Sequence, residues 1–168
     1  MGYRLSDDEM AVQHTVREFA HRELAPLVAG AEASGQFPRE RVLPRLAELG
    51  LLSVGVPEAL GGSGGGSLLL CVVAEEIARV AGGFAIGAMA SILSPAVLVR
   101  LQGDQPNQAL LEPLMAGQIL PALAFTEPRG GSDLASMTTT ATKTDGGVLL
   151  RGQNTFISNG PTADAFLV

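Results

Sequence analysis

The chain has 168 residues, a net charge of −6 and a hydrophobic content of 46%, which is enough apolar material to bury a core. The acidic balance and the lack of a basic patch argue against nucleic acid as a partner. The single cysteine, Cys71, excludes an intrachain disulfide framework and a cysteine-based zinc cluster, and its apolar neighbours predict a buried side chain.

The first predicted helix begins at a capping box, in which Ser6 is followed three residues later by Glu9. Apolar residues then recur at helical spacing, and Pro26 is expected to kink this helix or to end it. Helical patterns continue to residue 118, interrupted by the glycine-rich loop 61–66, after which Ser67 is expected to cap the next helix. The first part of the chain is therefore predicted to be an all-α bundle.

The segment 80–99 has 20 residues without a charge, a length that could span a bilayer. Gly82, Gly83 and Pro95 interrupt it, and Arg79 precedes it directly. Because such residues limit helices, we expect a buried helix of a soluble bundle and no membrane span.

After Gln118 the pattern changes from helices to short strands. The segments that indicate strands and a hairpin turn are Ile119–Phe125, Met137–Thr144, Asp145–Gly147, Val148–Leu150, Thr155–Ser158 and Ala165–Val168. The predicted fold class is α+β, with an N-terminal all-α helical bundle at residues 1–118 and the first strands of an antiparallel β domain at residues 119–168.

This β region has only about 50 residues, too few for a stable sheet domain without help. The apolar strand at 165–168 also has no evident partner. We therefore expect the chain to be part of a larger folding unit.

The most informative segment is Leu123–Asp133, where a short apolar run stops at Thr-Glu-Pro and passes through Arg-Gly-Gly into Ser-Asp. Proline fixes φ, and paired glycines permit conformations that other residues avoid. The segment is predicted to be a turn with exposed N–H groups and two hydroxyls beside it. Such a turn can hold a phosphate or the polar edge of a ring cofactor.

Five segments together resemble the acyl-CoA dehydrogenase family. They are Gly55–Gly64, similar to G-x-P-E-x-x-G-G-x-G; Ala74–Arg79; Leu114–Gln118; Thr126–Asp133, the flavin signature; and Phe156–Gly160, similar to (W/F)-I-(T/S)-N-G. The last two, at a helix-to-sheet boundary, are the most specific, whereas the loop 61–66 alone is a weak signal. The resemblance covers all 168 residues, about the first 45% of a typical family member.

The resemblance implies an FAD-dependent oxidoreductase that converts an acyl-CoA substrate to the trans-2-enoyl-CoA. A base takes a proton from the α-carbon, a hydride leaves the β-carbon for flavin N5, and an electron-transfer flavoprotein or similar acceptor reoxidises the flavin. The family's catalytic glutamate lies in a C-terminal helical bundle, so we expect no catalytic base in this chain and no activity from the segment alone. The full-length protein is expected to be a homo-oligomer, tetramer or dimer, in the cytoplasm or an organelle matrix.

The resemblance also assigns side chains to the flavin. Thr126 offers its hydroxyl and backbone to the pyrimidine edge of the ring, and Ser158 lies in position to hydrogen-bond N5. Ser132 and the Gly131 N–H approach the FAD diphosphate or the pantetheine of the CoA substrate. The cofactor-binding residues implied are Leu123, Phe125, Thr126, Gly131, Ser132, Phe156, Ile157 and Ser158.

Several polar residues receive other roles. Glu127 is expected to belong to the signature and not to act as the base, and Asp133 to cap or brace the turn. Arg129 stands where the family has a small residue, and it either pairs with a phosphate or faces water. His14 and His21 share a helix face without a third ligand nearby, so surface roles and no metal site are expected.

Two alternatives stay open. One is an acyl-CoA oxidase or a flavin monooxygenase built on the same scaffold. The other is a non-catalytic subunit that completes a heteromeric dehydrogenase with a partner carrying the base.

Overall fold

The structure, a computed structural model, describes residues 4–103 and 105–168, so the first three residues of the acidic N-terminal stretch lie outside it. Its α-helices are α1 (Asp7–Phe19), α2 (Ala25–Ser34), α3 (Arg39–Glu48), α4 (Ser67–Ala78), α5 (Gly82–Gln102) and α6 (Gln108–Met115). Its strands are β1 (Pro121–Leu123), β2 (Thr140–Thr144), β3 (Gly147–Arg151) and β4 (Ala165–Leu167). The α+β class, with helices first and a few strands after them, is confirmed.

The first helix starts at the predicted capping box. The Ser6 Oγ accepts a hydrogen bond from the Glu9 N–H at 3.3 Å, and the Glu9 carboxylate accepts one from the Ser6 N–H at 2.7 Å. Pro26 neither ends the helical path nor lies inside an α-helix interior. It occupies the first turn of α2, directly after the π-helical segment Ala20–Leu24, whose wider turn accommodates the missing N–H.

The core of the bundle forms where α1, α3, α4 and α5 meet. Its buried side chains include Val16, Phe19, Leu24, Val42, Leu43, Leu46, Leu51, Leu52, Ile77, Phe84, Ile92 and Leu120. Leu120 precedes β1 directly. The buried Leu120 side chain therefore attaches the β region to the helical core, in addition to the covalent connection of the chain.

α5 is the central helix, and it packs against α3, α4, α6 and β1. Its length and composition would allow it to cross a membrane, but 56% of its apolar window is buried inside the protein. Pro95 stays within the helix, and the nearby Ser94 hydroxyl donates to the Ala90 carbonyl at 2.6 Å. The burial is that expected of a bundle core helix.

The strands form two separate pairs. β2 and β3 make the predicted antiparallel hairpin, with Thr142 opposite Leu149. β1 and β4 pair in parallel, with Ala122 opposite Phe166, which differs from the wholly antiparallel arrangement expected. The hairpin and the following loop form a crossover long enough to bring β4 alongside β1 in the same direction. The expectation that the last strand lacks a partner was therefore wrong.

Three local predictions also fail. The segment 155–158 forms no strand, because Phe156 has a φ of 55°, in the left-handed region. Cys71 is exposed, because the inward face of α4 is supplied by other positions, among them Val72 and Glu76. Ser67 is the first residue of α4, and Gly66 takes the capping position.

Candidate functional site

The chain leaves β1 and enters a tight turn at the predicted signature. The N–H of Glu127 donates to the Gly130 carbonyl at 3.0 Å, and the N–H of Gly130 donates to the Glu127 carbonyl at the same distance. Pro128 and Arg129 form the corner of this turn and are exposed. The Arg129 side chain therefore projects from the surface at the turn.

Glu127 is buried beneath the turn and anchors it to the start of the hairpin. Its carboxylate accepts hydrogen bonds from the Thr138 N–H at 2.9 Å, the Thr138 hydroxyl at 2.6 Å and the Thr139 N–H at 2.6 Å. These hydrogen bonds, above all those from Thr138, lower the pKa of Glu127 to about 2. A carboxylate held this firmly in its charged form is a structural anchor and a poor proton acceptor.

A groove of about 190 Å³ lies between α5 and the predicted flavin segments. We call it the α5 groove. One wall consists of α5 side chains Ile86, Met89, Ala90 and Leu93, and the other of Leu123, Thr126, Phe156, Ile157 and Ser158. Five of the eight predicted cofactor residues thus line a single groove, although they come from two segments 30 residues apart.

The second wall of the α5 groove is held by backbone and amide hydrogen bonds. The Thr155 N–H donates to the Thr126 carbonyl at 2.9 Å, and the Asn154 amide donates to the Ala124 carbonyl at 2.9 Å. These bonds place the two predicted flavin segments side by side. Phe156 is 91% exposed, so its ring lies at the open edge of the groove.

Gly131 lies directly beside the Thr126 side chain. A Cβ at residue 131 would come within 3.2 Å of both Thr126 Oγ1 and Cγ2, which is tighter than ordinary van der Waals contact. Ser132 follows on the exposed surface. The Asp133 carbonyl accepts a hydrogen bond from the Ser136 hydroxyl at 2.9 Å, and within the described residues the Asp133 side chain makes no capping hydrogen bond.

The structure does not bring Phe125 into the α5 groove. Phe125 lies in a separate apolar cavity of about 420 Å³, formed with Val97 and Leu101 of α5 and with Met137 and Leu150 near the hairpin. Successive residues of an extended chain point to opposite sides, so Thr126 and Phe125 face different cavities.

Sequence reasoning missed the α5 wall of the groove. α5 is apolar on all sides, so its sequence offers no periodicity that would single out the face of Ile86 and Met89. It also missed the partner of Asn159, whose side-chain amide donates to the Gly87 carbonyl on α5 at 3.0 Å. The sequence contains the Asn159-Gly160 pair, but it could not predict the hydrogen bond of Asn159 to Gly87, which lies 72 residues away.

Across residues 4–103 and 105–168, no three His, Cys, Asp or Glu side chains come together as they would around a metal ion. His14 on α1 and His21 in the π-helical segment after it are both exposed.

Two family profiles match successive parts of the chain. The family profile described as "Acyl-CoA dehydrogenase, N-terminal domain" matches residues 6–118, and that described as "Acyl-CoA dehydrogenase, middle domain" matches residues 122–168. These two matches leave only residues 1–5 and 119–121 outside.

Among curated relatives, benzylmalonyl-CoA dehydrogenase of Aromatoleum aromaticum is 37% identical over 100% of this chain and 45% of its own length. Subunit CarC of the caffeyl-CoA reductase–Etf complex of Acetobacterium woodii is 33% identical over 95% of this chain and 42% of its own length. Among solved structures, the FAD complex of PigA has a TM-score of 0.83 and 27% identity, covering 99% of this chain and 44% of that one. The chain thus spans less than half the length of these relatives, and over that span it belongs to the acyl-CoA dehydrogenase family.

Proposed function

We propose that this chain supplies the helical wall and one half of the flavin site of an acyl-CoA dehydrogenase that converts an acyl-CoA thioester to the trans-2-enoyl-CoA. The family is FAD-dependent. The observation that carries the proposal is the α5 groove, in which Thr126 and Ser158 face the apolar side chains of Met89 and Leu93. Hydroxyls on one wall and hydrocarbon on the other suit a ring with a polar edge and an apolar acyl chain beside it.

The residues present fit FAD. The Phe156 ring is exposed at the edge of the groove, on a residue whose φ of 55° is unfavourable for a side chain of that size. An exposed aromatic ring held by a strained backbone indicates a surface that a flat ligand can cover. Gly131 lets the backbone lie directly against the Thr126 side chain, where a Cβ would come within 3.2 Å. Both observations are typical of a cofactor cradle.

Bound FAD would supply the hydride acceptor for the β-carbon of the substrate. The side chains of this chain would hold the reactants. Thr126 and Ser158 would donate or accept hydrogen bonds at the ring edge, and Phe156 would cover part of the ring. Ile86 and Met89 of α5 would exclude water from the acyl chain, and Ser132 and the Gly131 N–H would meet a phosphate or the pantetheine.

The proton acceptor is proposed to come from outside these 168 residues. Among the residues that the structure describes, no carboxylate lines the α5 groove. Glu127 and Glu76, the two buried glutamates, are each occupied by hydrogen-bond donors. A group engaged in this way cannot readily take a proton from a substrate.

The proposed partners follow from the same site. The relative CarC belongs to a reductase–Etf complex, which supports an electron-transfer flavoprotein or similar acceptor. We further propose a homo-oligomer in the cytoplasm, or in an organelle matrix, with the division into residues 1–118 and 119–168 as its two structural parts here. The acidic charge of the chain supports the absence of nucleic-acid binding.

The test uses the full-length gene product. The purified protein should show the visible absorption of oxidised flavin, and the absorption should bleach when an acyl-CoA is added without oxygen. A folded protein that takes up no flavin when FAD is supplied would overturn the proposal. Oxygen consumption during turnover would indicate an oxidase or a monooxygenase instead. Flavin uptake without any bleaching, restored by a second subunit, would indicate a non-catalytic chain.

A further inference from the structure

The loop that follows Ser158 is attached to the helical bundle at both ends. At its start, the Asn159 amide donates to the Gly87 carbonyl on α5 at 3.0 Å. At its end, Asp164 pairs with Arg39 at the beginning of α3. Ser158, which lines the α5 groove, is thus adjacent to the first attachment and six residues from the second.

Asp164 joins three parts of the chain through one carboxylate. Both terminal nitrogens of Arg39 donate to it, one of them at 3.1 Å. The Leu120 N–H donates to the same carboxylate at 2.8 Å, and the Asp164 N–H returns a bond to the Leu120 carbonyl at 2.9 Å. Arg39 also donates to the Thr162 carbonyl at 3.2 Å. α3, the residue before β1 and the loop before β4 therefore meet at this ion pair.

The charges at this point are fixed in their paired form. The Arg39 guanidinium, followed by the Leu120 N–H, lowers the pKa of Asp164, and the Asp164 carboxylate raises the pKa of Arg39. A guanidinium fork that meets a carboxylate through two nitrogens restrains orientation as well as distance. The side chain of Arg39 is 25% exposed and that of Asp164 is 43% exposed, so the pair is only partly shielded from water.

The backbone around Ser158 needs this support, because Phe156 before it and Asn159 after it both lie in the left-handed region. Phe156 and Asn159 have φ values of 55° and 61°, although neither is glycine. Such conformations persist where surrounding contacts overdetermine them. α5 also packs closely against the segment before α3, since a Cβ at Gly87 would come within 2.8 Å of the Phe37 ring.

We infer that Arg39 and Asp164 are positioning residues that set the width of the α5 groove by holding Ser158 at a defined separation from α5. Neither side chain lines the groove itself. One part of the inference rests on the proposed function. That part is that the width of the α5 groove controls how firmly FAD and the acyl chain are held.

The test compares Arg39→Gln, Asp164→Asn and the double variant in the full-length protein. Arg22→Gln is the matched control, because it removes an exposed ion pair with Glu18. Neither Arg22 nor Glu18 lines the α5 groove or belongs to the loop. Hydrogen exchange is measured at the amides of Gly160, Thr162 and Asp164, and FAD affinity is measured by titration of the apoprotein.

We expect exchange at these amides to rise by about tenfold or more in each variant, and FAD affinity to fall by about threefold to thirtyfold. The double variant should be little worse than the more affected single variant, because both single variants already remove the ion pair, and only the contacts to Thr162 and Leu120 differ between them. Arg39→Lys, which keeps the charge but loses the fork, should give intermediate values.

The inference is overturned if exchange in the loop matches that of the Arg22→Gln control, or if exchange rises while FAD affinity stays at the wild-type value. Failure of the proposed function looks different, because the wild-type protein would then bind no flavin. In that case hydrogen exchange still decides whether the ion pair restrains the loop. The predicted effect on FAD affinity is then rejected together with the proposed function.

Discussion

The carboxylate of Glu127 and the Thr138 residue are joined by three hydrogen bonds, two from the N–H of Thr138 and one from its hydroxyl. Glu127 thereby connects the signature turn to the residues directly before β2. Thr126, the preceding residue, lines the α5 groove. The hydrogen bonds of Glu127 thus hold the neighbouring Thr126 in its place in the α5 groove.

Acid should weaken this support. The pKa of Glu127 is lowered to about 2 by its hydrogen bonds, so its contribution to stability is complete above the pKa of an unfolded glutamate. The contribution is lost as the pH falls from about 4.5 towards 2. Glu127→Gln should therefore be less stable than the wild type at pH 7, and the difference should shrink in acid.

Urea unfolding at a series of pH values measures this difference. Glu112→Gln, on the exposed side of α6, serves as the control and should follow the wild-type pH dependence. Parallel curves for Glu127→Gln and the wild type across the acid range would refute the assigned role.

The Gly131 contact can be tested against its neighbour. Gly131→Ala would press its Cβ on the Thr126 side chain, whereas Gly130→Ala meets nothing within 4 Å. Because a small displacement of Thr126 costs about 1 kcal/mol, Gly131→Ala should weaken FAD binding by roughly threefold to tenfold. Flavin titration of the full-length apoprotein measures the effect. Equal affinities of the two alanine variants would show that Thr126 is not held at the cofactor.

The ion pair between the partly exposed Arg17 and the buried Glu76 should stabilise the helical bundle. Arg17 donates to the Glu76 carboxylate at 2.7 and 2.9 Å, and the Glu76 side chain is fully buried. Glu76→Gln should lower the free energy of unfolding by about 1 to 3 kcal/mol. Glu18→Gln, which removes an exposed glutamate from the same helix as Arg17, should cost no more than about 0.5 kcal/mol.

The Glu76 effect should also depend on pH. Its pKa is lowered mainly by the hydrogen bonds from Arg17, so the stabilisation is present at neutral pH and is lost as the pH falls through the folded-state pKa. The advantage of the wild type over Glu76→Gln should therefore decrease in acid. Unfolding curves at pH 7 and pH 3 are compared, and an advantage that grows in acid would contradict the assignment.

Two glycines should respond in opposite directions to alanine. Gly62→Ala would place a Cβ 2.0 Å from the Val56 carbonyl oxygen, so the loop must move, and we expect a loss of at least about 2 kcal/mol. Gly30→Ala, in α2 with nothing within 4 Å, should stabilise by about 0.5 to 1 kcal/mol. Chemical denaturation measures both. A Gly62→Ala protein as stable as the wild type would mean that the loop is not packed as described.

The helical first part, the capping box at Ser6 and Glu9, and the change to strands after Gln118 were all predictable from sequence. They depend on interactions between residues close in the chain, such as caps and periodic apolar positions. The resemblance of the signature segments to a flavoprotein family could also be recognised from the sequence, because each motif consists of consecutive residues.

Tertiary structure alone decided how these parts meet. α5 is apolar on all sides, so only packing selects the face of Met89 that borders the α5 groove. The left-handed backbone of Phe156 and the parallel pairing of β4 with β1 depend on distant contacts. The Arg39–Asp164 ion pair joins residues 125 positions apart, a separation at which no local preference can specify a partner. Local chemistry therefore determined the elements and their motifs, and long-range packing determined the groove.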